Sequence, residues 1–489
     1  MNLRSALPLA VPAALAVLAA AACSGMYVSL GDGASGAGGH VGAGFGGTSA
    51  DTGGLDPRAG GPDGLMVDPD PNMVCADGKK TTISGTVYDP AGKRPLYNAV
   101  VYVPNAGALP ALPAGVACER CSEPVPARAI ALSGPDGKFR LEDAPAGRVD
   151  LVVQVGKWRR KQTLSIIACQ DNPLIEPDLT RLPQTQLEGD IPKIALSTGH
   201  SDALECLLRK IGIADTEFTT DTGGGRVSMF VGCEGDQADK HFGANKFSAD
   251  LGGAAFPSTN QLFDSGTLKQ YDVVIFSCEG HKCDSIQTPA NVAQLVDFAN
   301  SGGRVFLDHN HYNWLNHADA PIERAAEFSS SPNDIQSPLP TKINTDQFPK
   351  GAAFAEWLLN VEASTIRGAL DIYAAKTSVQ SLSPNRAQSW IYRDDDPKGH
   401  FYLTINTPVA VEDDDPPPEA CGRVVFTDLH VSKSGGGDAM DFSDQETPFP
   451  DGCTSSVLTP QEKALEFMLF DLSSCVQRET STPVTPPIK

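Results

Sequence analysis

Between Tyr271 and His311 the chain reads as an apolar run, a helix, a glycine turn and a second apolar run. Tyr271-Asp272-Val273-Val274-Ile275-Phe276 has none of the alternation of a half-exposed strand, which is the pattern of a strand covered on both faces. Val292, Leu295, Val296 and Phe298 follow at helical spacing, Ser301-Gly302-Gly303 closes that helix, and Arg304 to Leu307 begins the next strand. Two strands joined through a helix pair in parallel, and a parallel sheet needs helices on both faces. The expected second unit, residues 187–476, is therefore a doubly wound α/β domain with flavodoxin-like order. Ile194 to Ser197, the turn Thr198 to Asp202, a helix over Ala203 to Ile211 and a late strand Gly422 to Thr427 extend the pattern. A final helix over Pro460 to Leu472 is announced by Thr459 as cap with Glu462 three residues on.

Upstream the grammar is that of short strands and tight turns. Ile83 to Tyr88, Asn98 to Val103, Ala127 to Leu132, Lys138 to Leu141 and Val149 to Val155 are separated by Asp89-Pro90-Ala91-Gly92, a Pro- and Cys-rich insertion, Gly134-Pro135-Asp136-Gly137 and Pro145-Ala146-Gly147. This spacing predicts a small antiparallel β-sandwich over residues 75–183. Lys157-Trp158-Arg159-Arg160-Lys161 is the one basic cluster in an acidic chain; a solvated strand with Trp158 turned inward is expected, and docking onto the acidic second domain is the next reading.

Residues 1–23 carry Arg4, an apolar run from Leu7 to Leu18 and small residues before Cys23, the pattern of an export signal ending at a lipidated cysteine. The partner this implies is a membrane held through lipid on Cys23, at the outer membrane or cell surface. Residues 24–74 are mostly Gly, Ala, Ser, Asp and Pro and are expected to be a disordered tether, and 477–489 a flexible tail. A formal charge of −22 argues against nucleic acid as a partner. Export makes disulfides the expected fate of cysteine. Of 12 cysteines, setting Cys23 aside leaves an odd number, so at least one thiol stays unpaired, and Cys278 is the candidate because it sits in a possible site and not on a loop staple. Cys118-Glu119-Arg120-Cys121 has redox spacing, but no helix follows to activate a thiol, and a structural role is expected.

Ligands in open α/β sheets gather at the carboxyl ends of the strands. Here those ends carry His200, then Cys278, Glu279 and His281, then Asp308, His309 and His311, then His430. Imidazoles converging from separate strands suit a zinc-like divalent metal held by His309, His311 and His430, with Asp308 as ligand or base and water activated for hydrolysis. The competing expectation is a non-catalytic pocket formed by His200, Cys278, Glu279 and His281, presented to an extracellular glycan or protein ligand. Trp314, Tyr312 and Trp390 are expected in the core, and the acidic runs Asp394–Asp396 and Glu412–Asp415 in solvated loops.

The phrases ISGTVYDPAG, SGPDGKFRLEDAPAG and VDLVVQVG resemble the carboxypeptidase regulatory-like domain, a transthyretin-like β-sandwich, which implies a fold and not a peptidase. YDVVIFSCEG, NVAQLVDFANSGGRVFLDHNH and GRVVFTDLH resemble the class I glutamine amidotransferase-like superfamily in its trehalose-utilisation-type branch. The glutaminase pattern Gly-x-Cys-x-Gly is replaced at the elbow by Asp308, His309 and His311, and Ser432 stands where that pattern has glutamate. The resemblance thus implies the fold without the Cys-His-Glu amidase chemistry. CERC, DALECLLRKIGI and LTPQEKALEFMLFDLSSC resemble a group of myxobacterial exported lipoproteins that pair these two domains. The function expected is a lipid-anchored surface protein with a sandwich accessory module and a non-catalytic α/β binding domain, the alternative being a metal-assisted hydrolase.

Overall fold

The computed structural model describes residues 75–489 apart from 106, 108, 234–242, 318–319, 330–336, 396–397, 413–414 and 432–446. The export signal with Cys23 and the tether lie outside the described residues, as does Ser432. Residues 82–190 supply eight strands: β1 Thr82–Thr86, β2 Val100–Pro104, β3 Ala127–Leu132, β4 Lys138–Leu141, β5 Gly147–Val155, β6 Trp158–Ile166, β7 Asp171–Leu174 and β8 Gly189–Asp190. They form two sheets, β4-β1-β7 and β3-β2-β5-β6-β8. Alternate residues of β5, among them Val149, Leu151, Val153 and Val155, turn inward and are buried. This is the expected sandwich with one correction: β7 pairs with β1 in parallel, because the chain crosses over after β6 instead of turning back beside β1.

From Ile194 a second grammar takes over. The strands are β9 Ile194–Ser197, β10 Phe218–Thr219, β11 Val227–Phe230, β12 Val273–Phe276, β13 Arg304–Asp308, β14 Ala326–Phe328, β15 Leu339–Ile343, β16 Ala369–Ile372, β17 Val379–Leu382, β18 Gln388–Arg393, β19 Gly399–Thr407 and β20 Gly422–Thr427. The helices are α1 Leu204–Lys210, α2 Pro289–Asn300, α3 Tyr312–Asn316, α4 Ala320–Glu323, α5 Pro349–Asn360 and α6 Pro460–Ser473. Ten strands make one sheet in the order β10-β11-β9-β12-β13-β20-β19-β18-β15-β16. From β10 to β20 neighbours run parallel, and from β20 to β16 antiparallel.

Both faces of the parallel strands are covered, as their unbroken apolar runs require. Ile194, Leu196, Val273, Ile275, Phe306 and Val425 point to the face carrying α1, α5 and α6. Ala195, Val274, Phe276, Val305, Leu307, Val424 and Phe426 point to the other, beneath α2 and α3. α6 begins with the expected reciprocal cap, in which the Thr459 side chain accepts from the Glu462 N–H and Glu462 accepts from the Thr459 N–H. Tyr312, Trp314 and Trp390 are core residues.

The sandwich core, including Ile83, Val101, Leu141 and Val153, is continuous with the core under α1, α5 and α6. Disulfides reinforce the junction: Cys118–Cys421 and Cys121–Cys475 tie the sandwich insertion to the edge of β20 and the end of α6. Cys75–Cys169 closes the sandwich, Cys206–Cys453 anchors α1, and Cys233–Cys283 links the loops after β11 and β12. Among the described residues Cys278 is the free cysteine, which agrees with the odd count left once Cys23 is set aside. Five disulfides are the mark of a chain matured in an oxidising, extracytoplasmic compartment. Among the described residues no helix is long and apolar enough to cross a membrane.

The basic cluster is not a solvated strand. Trp158 is buried, but so are Lys157, Arg159 and Arg160, and Lys157 Nζ lies 2.6 Å from Asp272 Oδ1 at the foot of β12. The docking alternative therefore describes Lys157, while Arg159 and Arg160 pair locally with Asp190 and Asp178. Residues 477–489 are likewise not a loose tail. Glu479 reaches Lys350 and Arg423 in the interior, and Ile488 bridges Val125 in parallel. Of the acidic runs, Asp394 and Asp395 are exposed near Lys342 and Arg393, and Glu412 and Asp415 are exposed; Asp396, Asp413 and Asp414 lie outside the described residues.

Arg94 offers a test of the junction. It projects from the sandwich between Asp89 and Glu466 of α6, both carboxylates fully buried. Burial, only partly offset by Arg94, pushes both carboxyls above their ordinary range. Arg94→Ala strands two acids in the interior and is expected to cost about 3 kcal/mol in urea unfolding. A loss below about 1 kcal/mol, the size of an exposed pair, contradicts this account.

Candidate functional site

β9, β12, β13 and β20 are neighbours in the sheet, so their carboxyl ends lie side by side. Each delivers polar residues to one place: Asp202 from the loop after β9, Cys278 from β12, Asp308 and His309 from β13, and Asp428 and His430 from β20. All six are between 0 and 3% exposed. β13 stops abruptly because His309 takes a left-handed backbone, φ 52°, before a short 3-10 turn over His309–His311. Such a conformation is costly for a residue with a Cβ and persists only where the surroundings impose it. It turns the imidazole sideways along the strand ends, and His309 Nδ1 sits 3.1 Å from Cys278 Sγ. The thiol also accepts from the Gly280 N–H at 3.2 Å.

On the other side of His309, the His430 ring meets it edge to face with centroids 4.3 Å apart. His430 Nδ1 is 2.6 Å from Asp202 Oδ2, and the Val431 N–H donates to Asp202 Oδ1 at 2.6 Å. The Asp202 charge acts on Asp308, whose two buried oxygens have no hydrogen-bond partner among the described residues. Asp428 accepts from the Ser378 hydroxyl and N–H.

Burial sets the protonation of the cluster. It drives Cys278 well above the ordinary thiol range, and the Asp202 and Asp308 charges add to this. Burial, and then the neighbouring His430, hold His309 well below the ordinary imidazole range. Desolvation raises Asp202 and Asp308 well above the carboxylate range and Asp428 to about 7. Burial thus favours the neutral forms of the thiol, the imidazole and the two aspartates. A thiolate nucleophile, which needs an adjacent cation, is not stabilised here.

The metal expectation is corrected by the orientation of His311. Its Nε2 faces the Ser277 carbonyl and Glu279 Oε2, each at 2.9 Å. Its Nδ1 accepts from the Trp314 indole N–H at 3.2 Å. Burial opposes its positive form, but Glu279 outweighs this and raises its pKa. With both ring nitrogens engaged by the protein, His311 has no lone pair for a metal shared with His309 and His430. Two residues past the turn in β13, it points away from them into the core beside Phe276. Among the described residues no group of three or more His, Cys, Asp or Glu side chains is arranged to hold a metal ion. His200 and His281 occupy the loops after β9 and β12 and are only half-buried. Sequence reasoning missed Asp202 and Asp428. Asp428 precedes Leu429-His430 in a quoted motif, and Asp202 ends a turn read only as a connection.

Comparison with models of known protein families finds no match, and comparison with curated proteins finds none. Among solved structures, two interface-mutant crystal structures of a type II cohesin–X-dockerin complex from Acetivibrio cellulolyticus align at 15% and 14% identity. Each alignment covers 29% of this chain and 78% of the other, with a TM-score of 0.15. A score that low carries no argument about this chain.

Glu205, in the first turn of α1 behind Asp202, gives a pH test. Burial raises its carboxyl from 4.5 to about 8, so between those values the folded state holds a proton that the unfolded state has lost. Stability is highest below the lower value and falls as pH rises through the window, by about 1.4 kcal/mol per unit for one proton. Glu205→Gln removes this term, so the variant is expected to gain on wild type in urea unfolding between pH 5 and pH 8. A pH-independent difference contradicts it.

Proposed function

We propose that this chain is an exported surface protein, lipid-anchored through Cys23, whose sandwich and α/β domain form one non-catalytic recognition body for an extracellular glycan or protein ligand. The observation that carries this reading is the burial of the strand-end cluster. The thiol lies on one imidazole and a second imidazole on a carboxylate, all shielded from solvent, while both Asp308 oxygens and His309 Nε2 have no hydrogen-bond partner among the described residues. An arrangement whose reactive groups are neutral and sealed serves a fold better than a turnover cycle.

The finer fold assignment belongs to the same proposal. Numbering the five long parallel strands by sequence, their spatial order is second, first, third, fourth, fifth, which is flavodoxin-like. This supports kinship with the glutamine amidotransferase-like superfamily, with His309 at the elbow where that superfamily places its cysteine. The sandwich would then be the carboxypeptidase regulatory-like partner.

Two measurements on one preparation test the reading. Native protein is expected to resist iodoacetamide at Cys278 until unfolded, and protein purified without added ions to carry no stoichiometric metal. Labelling at the rate of an open thiol, or one metal per chain that His309→Ala removes, overturns the non-catalytic reading.

A further inference from the structure

Away from the strand ends, a buried charge quartet joins α5, α6, β20 and the C-terminal segment. Lys350 Nζ lies 2.8 Å from Asp471 Oδ1 and 3.1 Å from Glu479 Oε2, with its side chain 0% exposed. Arg423 donates to Asp471 Oδ2 at 2.9 Å and faces Glu479 Oε1 at 3.3 Å, also at 0% exposure. The Trp390 ring is the remaining neighbour of the Lys350 ammonium, with its centroid 5.8 Å away, and Tyr402 stacks on Trp390.

Other buried lysines differ in a way that matters chemically. Lys157 gives its three hydrogens to Asp272 and to the Pro113 and Gly115 carbonyls, which holds it as a satisfied ammonium. Lys210 faces Glu462, whose other oxygen is committed to the α6 cap. Lys350 meets two carboxylates and an aromatic face, with no carbonyl among its partners. Arg423 lies against the far oxygen of each carboxylate, closer to Asp471 at 2.9 Å than to Glu479 at 3.3 Å, which leaves Glu479 the better placed to take a proton and Asp471 to be attacked.

We propose that Lys350 and Asp471 are joined by an intramolecular amide bond, formed after folding with Glu479 as the proton carrier. The Lys350 ammonium passes one proton to Glu479, which returns it to Asp471 Oδ1, and the freed amine attacks Cγ of the carboxyl so neutralised. Arg423 holds the negative charge that gathers on Oδ2. The Nζ–Cγ bond forms as the Cγ–Oδ1 bond breaks. Oδ1 leaves as water, with one proton from Nζ and one returned by Glu479, so the amide keeps a single N–H and Glu479 ends ionised as it began. No oxidant, reductant or cofactor enters the balance. Contact between nucleophile and electrophile within a packed core supplies the proximity that makes such condensations fast. Two of four interior charges disappear, leaving Arg423 and Glu479 as a matched pair, which relieves the cost of burying ions. A small cavity lined by Tyr97, Phe470, Asp471 and Ser474 adjoins the reacting carboxyl and offers the released water a place.

Peptide mass spectrometry of the purified, reduced and alkylated full chain after trypsin tests this. The expected product is a branched species joining the peptide Ile343–Arg367, uncut at Lys350, to Ala464–Arg478, lighter than their sum by one water. Lys350→Arg and Glu479→Gln are each expected to give linear peptides alone, cleavage after residue 350 splitting the first into two. Recovery of Ile343–Lys350, Gly351–Arg367 and Ala464–Arg478 in linear form from wild type overturns the proposal. A branched species that survives in Glu479→Gln overturns the role of Glu479.

Discussion

The sandwich loop Asp89 to Arg94 is where the two halves of the molecule become one. Ala91 N–H donates to the Ile211 carbonyl at the end of α1, Arg94 reaches Glu466 in α6, and the apolar residues around them belong to a core shared by both halves. Once an arginine is desolvated between two carboxylates, withdrawing the loop takes Arg94 and Asp89 away together and leaves Glu466 buried without its cation, so the contact locks instead of sliding. Two disulfides at the opposite margin of the sandwich fix the remaining freedom. What looked in sequence like two beads on a string is a sandwich and a ten-stranded sheet built around a common interior.

Much of the framework was legible because it is locally encoded. Ala127–Leu132, Lys138–Leu141 and Ile194–Ser197 have the bounds their apolar patterns and turn residues suggested, and the reciprocal cap at Thr459 and Glu462 appears as its spacing implied. The antiparallel half of the large sheet was not read. Its β19 is rich in strand formers, Phe401, Tyr402, Leu403 and Ile405, but its place beside β20 depends on pairing that no local pattern announces. Cysteine connectivity was closed to sequence reasoning for the same reason: Cys118 and Cys121, three apart, bond to partners 303 and 354 residues away.

The strand-end site was half legible. Strand grammar located His309 and His430, and the two rings do meet. Alternation after a strand has ended is no guide to direction, however. The left-handed backbone at His309 sends its ring along the strand ends while His311 turns back into the core. Asp202 acquires its role through a contact with His430 across 228 residues of sequence. Desolvation then sets the charge: burial pushes the Cys278, Asp202 and Asp308 pKa values up and that of His309 down, which favours their neutral forms.

The unity of the two halves is the claim on which the rest stands, and calorimetric unfolding of the full chain tests it directly. One transition, with calorimetric and van't Hoff enthalpies in agreement, is predicted for a sandwich and sheet that share a core. Two resolved transitions, one with the enthalpy of a domain the size of the sandwich alone, would contradict it.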